Sequence, residues 1–122
     1  MDNSKPKKYV LRFGVANKDI FDAIKEGRKK IETRAATKKY CNIKAGDVVV
    51  LSYGAHKSAQ KFEKRVRSAH IFKTIRAMLR NYKPKEINPK VSTESELIDM
   101  YYSFPDYRDK IKKFGLIALE LK

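Results

Sequence analysis

Lys29, Glu32 and Arg34 set one carboxylate between two cations, inside the run Gly27-Arg28-Lys29-Lys30-Ile31-Glu32-Thr33-Arg34. Each of the three has chemistry that suits a nucleic acid. An arginine binds phosphate through its planar fork, and a carboxylate accepts from an exocyclic amine such as cytosine N4. A lysine contacts phosphate, or serves as nucleophile or base where desolvation and a neighbouring arginine lower its pKa. The same triplet also has a plain structural reading, as an ion-pair cluster that holds a helix to a strand and contributes about 0 to 1 kcal/mol per exposed pair. Which reading applies depends on the elements that carry these side chains.

Asn17 is placed to cap a helix running to Glu26, with Ile20, Phe21 and Ile24 as its apolar stripe and Gly27 free to take the left-handed position beyond its end. A strand from Lys30 to Ala35 follows. Its alternation turns Ile31 and Thr33 to one face and Lys30, Glu32 and Arg34 to the other. Lys29 lies at the turn itself, where alternation fixes no direction, so it points either to Glu32 and Arg34 or to solvent.

The rest of the chain reads in order from the same rules. Tyr9 to Val15 alternates as a first strand, and Ile43-Lys44-Ala45-Gly46-Asp47 makes a tight turn into a buried strand, Val48 to Tyr53. A polar loop at Gly54 to Gln60 leads to a long strand, Phe62 to Phe72, which carries Lys64, Arg65 and Arg67. Thr74 caps a short helix containing Ile75, Met78 and Leu79, with Arg76 and Arg80 on one face and Pro84 as its stop. Tyr82 to Lys90 is expected to be an extended connection. Thr93 and Glu96 have the spacing of a capping box for a helix with Leu97, Ile98 and Tyr101 inside and Tyr102 as a candidate for the same stripe, stopped by Pro105. Tyr107 to Lys113 adds a turn, and Leu116 to Leu121 is a closing apolar strand. These elements predict an α+β fold, a small, largely antiparallel β-barrel with flanking helices. Residues 1–8 read as a basic flexible tail and residues 9–122 as a single domain.

The 122-residue chain has 29 basic and 14 acidic residues, a formal charge of +15. That excess attracts polyanions and makes nucleic acid, RNA or DNA, the leading partner. Arg65, Arg67, Arg76 and Arg80 are candidate phosphate contacts, and Lys30 and Lys38 extend the basic set beside Lys29 and Arg34. Tyr40, Tyr53 and Phe72 are of the type that stacks on a splayed base, although aromatic residues more often pack in a core. No apolar run is long enough to span a bilayer, and the opening residues lack a signal peptide's apolar centre, so an intracellular protein without membrane contact is expected. Cys41, His56 and His70 offer no metal-ligand spacing, and no residue specifies a cofactor. A monomer is expected.

The order of motifs resembles the activating signal cointegrator homology (ASCH) domain, a branch of the PUA-like superfamily. Its G-x-K-x-x-E-x-R pattern stands here as Gly27, Lys29, Glu32 and Arg34, and its Ile-Lys-x-Gly-Asp turn as Ile43, Lys44, Gly46 and Asp47. Val66 to Leu79 is similar to the family's strand running into a helix. Pro89, Glu94 to Tyr101, and Phe114-Gly115 to Leu121 are similar to its proline link, Glu-rich helix and closing strand. The resemblance implies a PUA-like barrel whose cleft, between barrel and helices, is lined by Lys29, Glu32 and Arg34 and binds RNA or a modified nucleoside. It also implies an alternative, since one subgroup of the family hydrolyses N4-acetylcytidine with a lysine, a threonine and a glutamate. Lys29 matches that lysine, and with Glu32 it would be the catalytic pair. The threonine position, however, holds Glu32, and the glutamate position falls near Asn88 to Lys90, where the nearest acid is Glu86.

Overall fold

A computed structural model describes residues 5–55 and 59–122. His56, part of the loop after Tyr53 and the first half of the basic tail lie outside the described residues. In chain order the elements are β1 (Lys8–Phe13), α1 (Lys18–Lys25), β2 (Ile31–Ala35), β3 (Val48–Tyr53), β4 (Gln60–Phe72), α2 (Ile75–Met78), α3 (Pro84–Ile87), α4 (Glu94–Ser103), α5 (Tyr107–Phe114) and β5 (Leu116–Leu121). A 3-10 turn at Val15–Asn17 leads into α1. Asn17 precedes α1 as expected but makes no side-chain cap bond.

The five strands form one curled sheet in the order β1-β3-β4-β5-β2. β4 organises it. Its first half pairs with β3 and its second half with β5, and the register slips between Val66 and Ser68, where the two halves meet. A bulge of this kind bends a strand and strengthens its twist, which lets one strand serve both halves of a curl. The expected barrel does not close. β1 and β2, which would have to pair to close it, are the two edges, and β1 pairs in parallel with β3. The fold is therefore α+β with a mixed half-barrel rather than a closed, largely antiparallel barrel. The parallel pair arises because α1 and β2 intervene between β1 and β3, giving the crossover that parallel strands require.

Each face of the sheet buries its own cluster. Phe21 and Ile24 of α1 pack against Leu11, Phe13, Leu51, Val66, Ile117 and Leu119 on one face. On the other, Ile31, Leu116 and Ala118 meet Ile75, Met78, Ile87, Leu97, Tyr101 and Ile111 from the helices. β5 is covered on both sides, which accounts for its almost unbroken apolar sequence.

Two local features differ from the sequence reading. The connection between Tyr82 and Lys90 contains the single turn α3, with Pro84 as its first residue, a place where the missing N–H costs nothing. Glu86 caps that turn by accepting from the Lys83 backbone N–H at 2.9 Å. At the other end of the chain β1 starts at Lys8 rather than Tyr9, and the Lys7 N–H donates to Asp47 at 3.1 Å. Gly115 sits at φ 80° and ψ −170°, and a Cβ there would lie 2.4 Å from the Phe72 carbonyl oxygen. That backbone region belongs almost solely to glycine, so Gly115 lets α5 turn directly into β5.

Candidate nucleic-acid interface

The reversal after α1 turns Lys29 inward. The Arg28 and Lys29 N–H groups both donate to the Ala23 carbonyl, and Gly27 has φ 81°. Lys29 is only 3% exposed, and its ammonium finds three acceptors. These are the Ile87 carbonyl at the end of α3 (2.6 Å), the Ile31 carbonyl, and Glu32 Oε1 (3.3 Å). An ammonium has three N–H donors, and here all three are committed. Burial lowers the Lys29 pKa from its ordinary value, and the Glu32 carboxylate opposes that shift.

β2 presents Glu32 and Arg34 on the face opposite Ile31 and Thr33, as its alternation predicts, but it buries Glu32 and half-buries Arg34 rather than displaying them. Glu32 is 6% exposed and holds Arg34 Nε through Oε2 at 3.0 Å. Burial alone would lower the Arg34 pKa, yet Glu32 outweighs it and the guanidinium is held above its usual value. Arg34 Nη2 also donates to the Arg12 carbonyl at 3.1 Å. Since Arg12 is on β1 and Arg34 on β2, this bond spans the open side of the half-barrel. The guanidinium lies 4.9 Å from the Phe13 ring centre and 5.8 Å from that of Tyr40. Its Nη1 has no hydrogen-bond partner among the described residues.

These side chains form one wall of a cleft of about 260 Å³. The opposite wall is aromatic and comes from α4, α5 and the turn between them: Tyr101, Phe104 and Tyr107, with Met100 and Asn88 alongside. The Tyr101 and Tyr107 rings are nearly parallel with centres 6.3 Å apart, and Phe104 meets both edge-on. Hydroxyls tie this wall to β2, through Tyr101 with Thr33 Oγ1 and through Tyr107, which accepts from the Ala35 N–H at 3.3 Å. Desolvation pushes the Tyr101 pKa up, so its phenol stays neutral.

The other residues singled out in the sequence lie elsewhere. Tyr40 reaches the site only through Arg34. Lys30 and Lys38 are exposed beside β2, and Tyr53 packs on Phe21 with ring centres 5.5 Å apart. Arg65 donates to the Gly46 carbonyl at 3.1 Å, and Arg67 is exposed at the β4 bulge. Phe72 packs edge-on against Tyr82 on the helix-covered face. Arg76 pairs with Glu94 in a different groove. Conversely, the aromatic wall did not stand out in the sequence, because Tyr101 sits in the apolar stripe of α4 like any core residue. Among the described residues no cluster of side chains fits a metal ion, and no helix is long and apolar enough to cross a membrane.

No protein-family model matches the sequence, and no curated protein matches it. Solved structures do. The crystal structure of hypothetical protein PH0355 superposes with a TM-score of 0.77 at 25% identity, over 94% of this chain and 97% of that one. The solution NMR structure of protein PF0455 from Pyrococcus furiosus gives 0.68 at 28% identity, over 94% of this chain and 96% of that one. Both likenesses run through nearly the whole of each chain, so the half-barrel with its helices is a fold shared at full length.

Proposed function

We propose that this protein binds RNA and that the Lys29–Glu32–Arg34 cleft receives one of its bases together with the adjoining phosphate. The observation that carries this reading is the charge of the triad, in which Lys29 and Glu32 are buried and Arg34 is half-buried. Two cations flank one carboxylate, so the wall keeps a net positive charge that burial makes costly to leave without a counter-charge. Arg34 is the group able to use it, because its Nη1 donors are uncommitted while every Lys29 donor is already used. Glu32 retains acceptor capacity for an exocyclic amine, and the Tyr101–Phe104–Tyr107 wall offers a planar ring an apolar surface. At about 260 Å³ the cleft lies just below the roughly 300 Å³ at which drug-sized sites begin, which fits a single base better than a larger ligand. The resemblance of Gly27, Lys29, Glu32 and Arg34 to the ASCH pattern points the same way, toward a PUA-like RNA-binding domain.

The test is binding of single-stranded RNA across a salt series. Arg34→Ala is expected to weaken binding by about tenfold or more, the usual worth of a charge-assisted contact, and Glu32→Gln to change which base is preferred. Removing a peripheral lysine such as Lys61 should cost far less. Equal losses for Arg34→Ala and Lys61→Ala would remove the cleft from the binding site.

One observation favours a second reading, hydrolysis of an N4-acylated cytidine: burial moves Lys29 toward the neutral amine that a nucleophile needs. The surroundings count against it. Lys29 would first have to release an acceptor, and Glu86 is occupied in capping α3. Asn88 lines the cleft where that chemistry would call for an acid. Wild-type protein is therefore expected to leave N4-acetylcytidine intact, and steady release of acetate that disappears in Glu32→Gln would reverse the assignment.

A further inference from the structure

A second and larger concavity, of about 700 Å³, lies on the far side of the α4–α5 pair from the cleft. Ile98 and Tyr102 of α4 and Arg108 and Lys112 of α5 face it, whereas Met100, Tyr101 and Tyr107 of the same helices face the cleft. Lys73 and Arg76, at the turn from β4 into α2, form its opposite bank. Arg76 is neutralised by Glu94 at 3.1 Å. Lys73, Arg108 and Lys112 have no carboxylate within ion-pair reach among the described residues, and Asp109 offsets only part of their charge. Tyr102 is 46% exposed, large for an aromatic side chain, and the Arg108 guanidinium stands 5.5 Å from its ring centre.

We propose that this groove is a second nucleic-acid contact, holding the sugar–phosphate backbone of a single strand while Tyr102 stacks on one of its bases. The proposal rests on the RNA-binding reading above but uses none of the residues of the cleft. Unpaired cations beside an exposed aromatic ring are what single-strand binding requires, since phosphates meet the charges and every base has a face to stack. A duplex suits the groove less well. Among the described residues the helix on its outer bank is the four-residue α2, and an A-form duplex keeps its bases stacked inside, where Tyr102 cannot reach their faces. The α4–α5 pair is then a ridge between two sites, and a strand that crosses it contacts both.

The experiment measures binding of a labelled single-stranded RNA of about 12 nucleotides, and of one of about 3, by the full chain across a salt series. The groove variant is Lys73→Ala/Arg108→Ala/Lys112→Ala. The control, Lys25→Ala/Lys61→Ala/Lys122→Ala, removes the same charge from exposed positions outside both concavities. All six side chains are exposed, and thermal melts verify that each variant folds. For the longer RNA, the groove variant is expected to lose about tenfold or more in affinity, and its log–log salt slope to shrink by about 2, from three contacts at about 0.7 each. The control should lose less than about threefold, and the groove variant should bind the shorter RNA like wild type. Tyr102→Ala should weaken the longer RNA by roughly fivefold or more. Equal losses in groove variant and control overturn the proposal, as does preference for duplex over single strand. If wild type binds no RNA at any salt, the RNA reading fails and the groove with it. If the groove variant loses affinity while Arg34→Ala does not, the groove stands and the cleft assignment falls.

Discussion

Lys29 and Arg34 look alike as cations on the sequence, but their hydrogen bonds separate them. Lys29 spends its donors on Ile31, Ile87 and Glu32, joining the end of α3 to β2, whereas Arg34 keeps donors free at the cleft. Lys29 is therefore a pillar of the cleft, and in the proposed binding mode Arg34 is the residue that meets the RNA. Lys29→Met keeps most of the side-chain volume but leaves two carbonyls without their donor and Glu32 short of one cation. Loss of one partner from a buried charge cluster typically costs about 3 kcal/mol, and urea unfolding of this variant is expected to show a loss of that order. A loss below about 1 kcal/mol would mean that Lys29 bears no structural load and is free for ligand contact or chemistry. For the same reason, loss of RNA binding in Lys29→Ala would say little about contact. Arg34→Ala and Glu32→Gln are the informative variants.

At the scale of elements, the turn into β3 shows how one carboxylate fixes a chain reversal and a terminus together. Asp47 accepts from the Lys44 N–H at 3.0 Å and from the Lys7 N–H at 3.1 Å, and the Lys44 ammonium lies 3.3 Å away. Burial by itself would raise its pKa, but the bonds from Lys7 and Lys44 outweigh burial and hold it below the ordinary aspartate value. A carboxylate depressed in the folded state contributes stability that is complete above its unfolded pKa of about 3.9 and is lost as pH falls through the folded value. Asp47→Ala is thus expected to cost about 2 kcal/mol at neutral pH, and the gap to wild type to narrow below about pH 4. Denaturant unfolding at a series of pH values measures this, and a gap that persists unchanged into acid would assign the loss to packing instead. This turn was legible in the sequence, because Gly46 and Asp47 act within a few residues of each other. α3 was not, since Pro84 is equally consistent with a helix stop and a helix start. Only the Glu86 cap and the apolar cluster around Ile87 decide between them.

For the whole molecule, the +15 charge is spread over surfaces of different kinds. Within the triad of the cleft it is partly compensated and largely withdrawn from solvent, while in the outer groove it is exposed beside an aromatic ring. With Arg34 and the three groove cations each meeting a phosphate, the wild-type salt slope for single-stranded RNA is expected near −3, from about 0.7 per contact. A slope near −1 would leave a single phosphate contact and assign the outer groove's charge to solvation. The same large-scale view explains why the barrel expectation went too far. Strand positions and types are local properties, and all five strands were visible as apolar or alternating runs. Closure depends on whether β1 finds β2, and that is set by the path of α1 and by the bulge in β4.

The sequence by itself determined the number and order of the strands, the faces of β2, the tight turn at Gly46 and Asp47, the capping box at Thr93 and Glu96, and the net charge of +15. These follow from short-range periodicity, from backbone preferences at particular residues, and from composition, all of which act without knowledge of distant contacts. Tertiary structure alone decided that Lys29 is buried with every donor used, and that Arg34 bridges the open edges of the sheet. It also decided that Tyr101, Phe104 and Tyr107 face Glu32 across a cleft, and that Arg76 stands apart in another groove. Each of those outcomes depends on which surfaces of separate elements meet, and hence on packing between residues far apart in the chain.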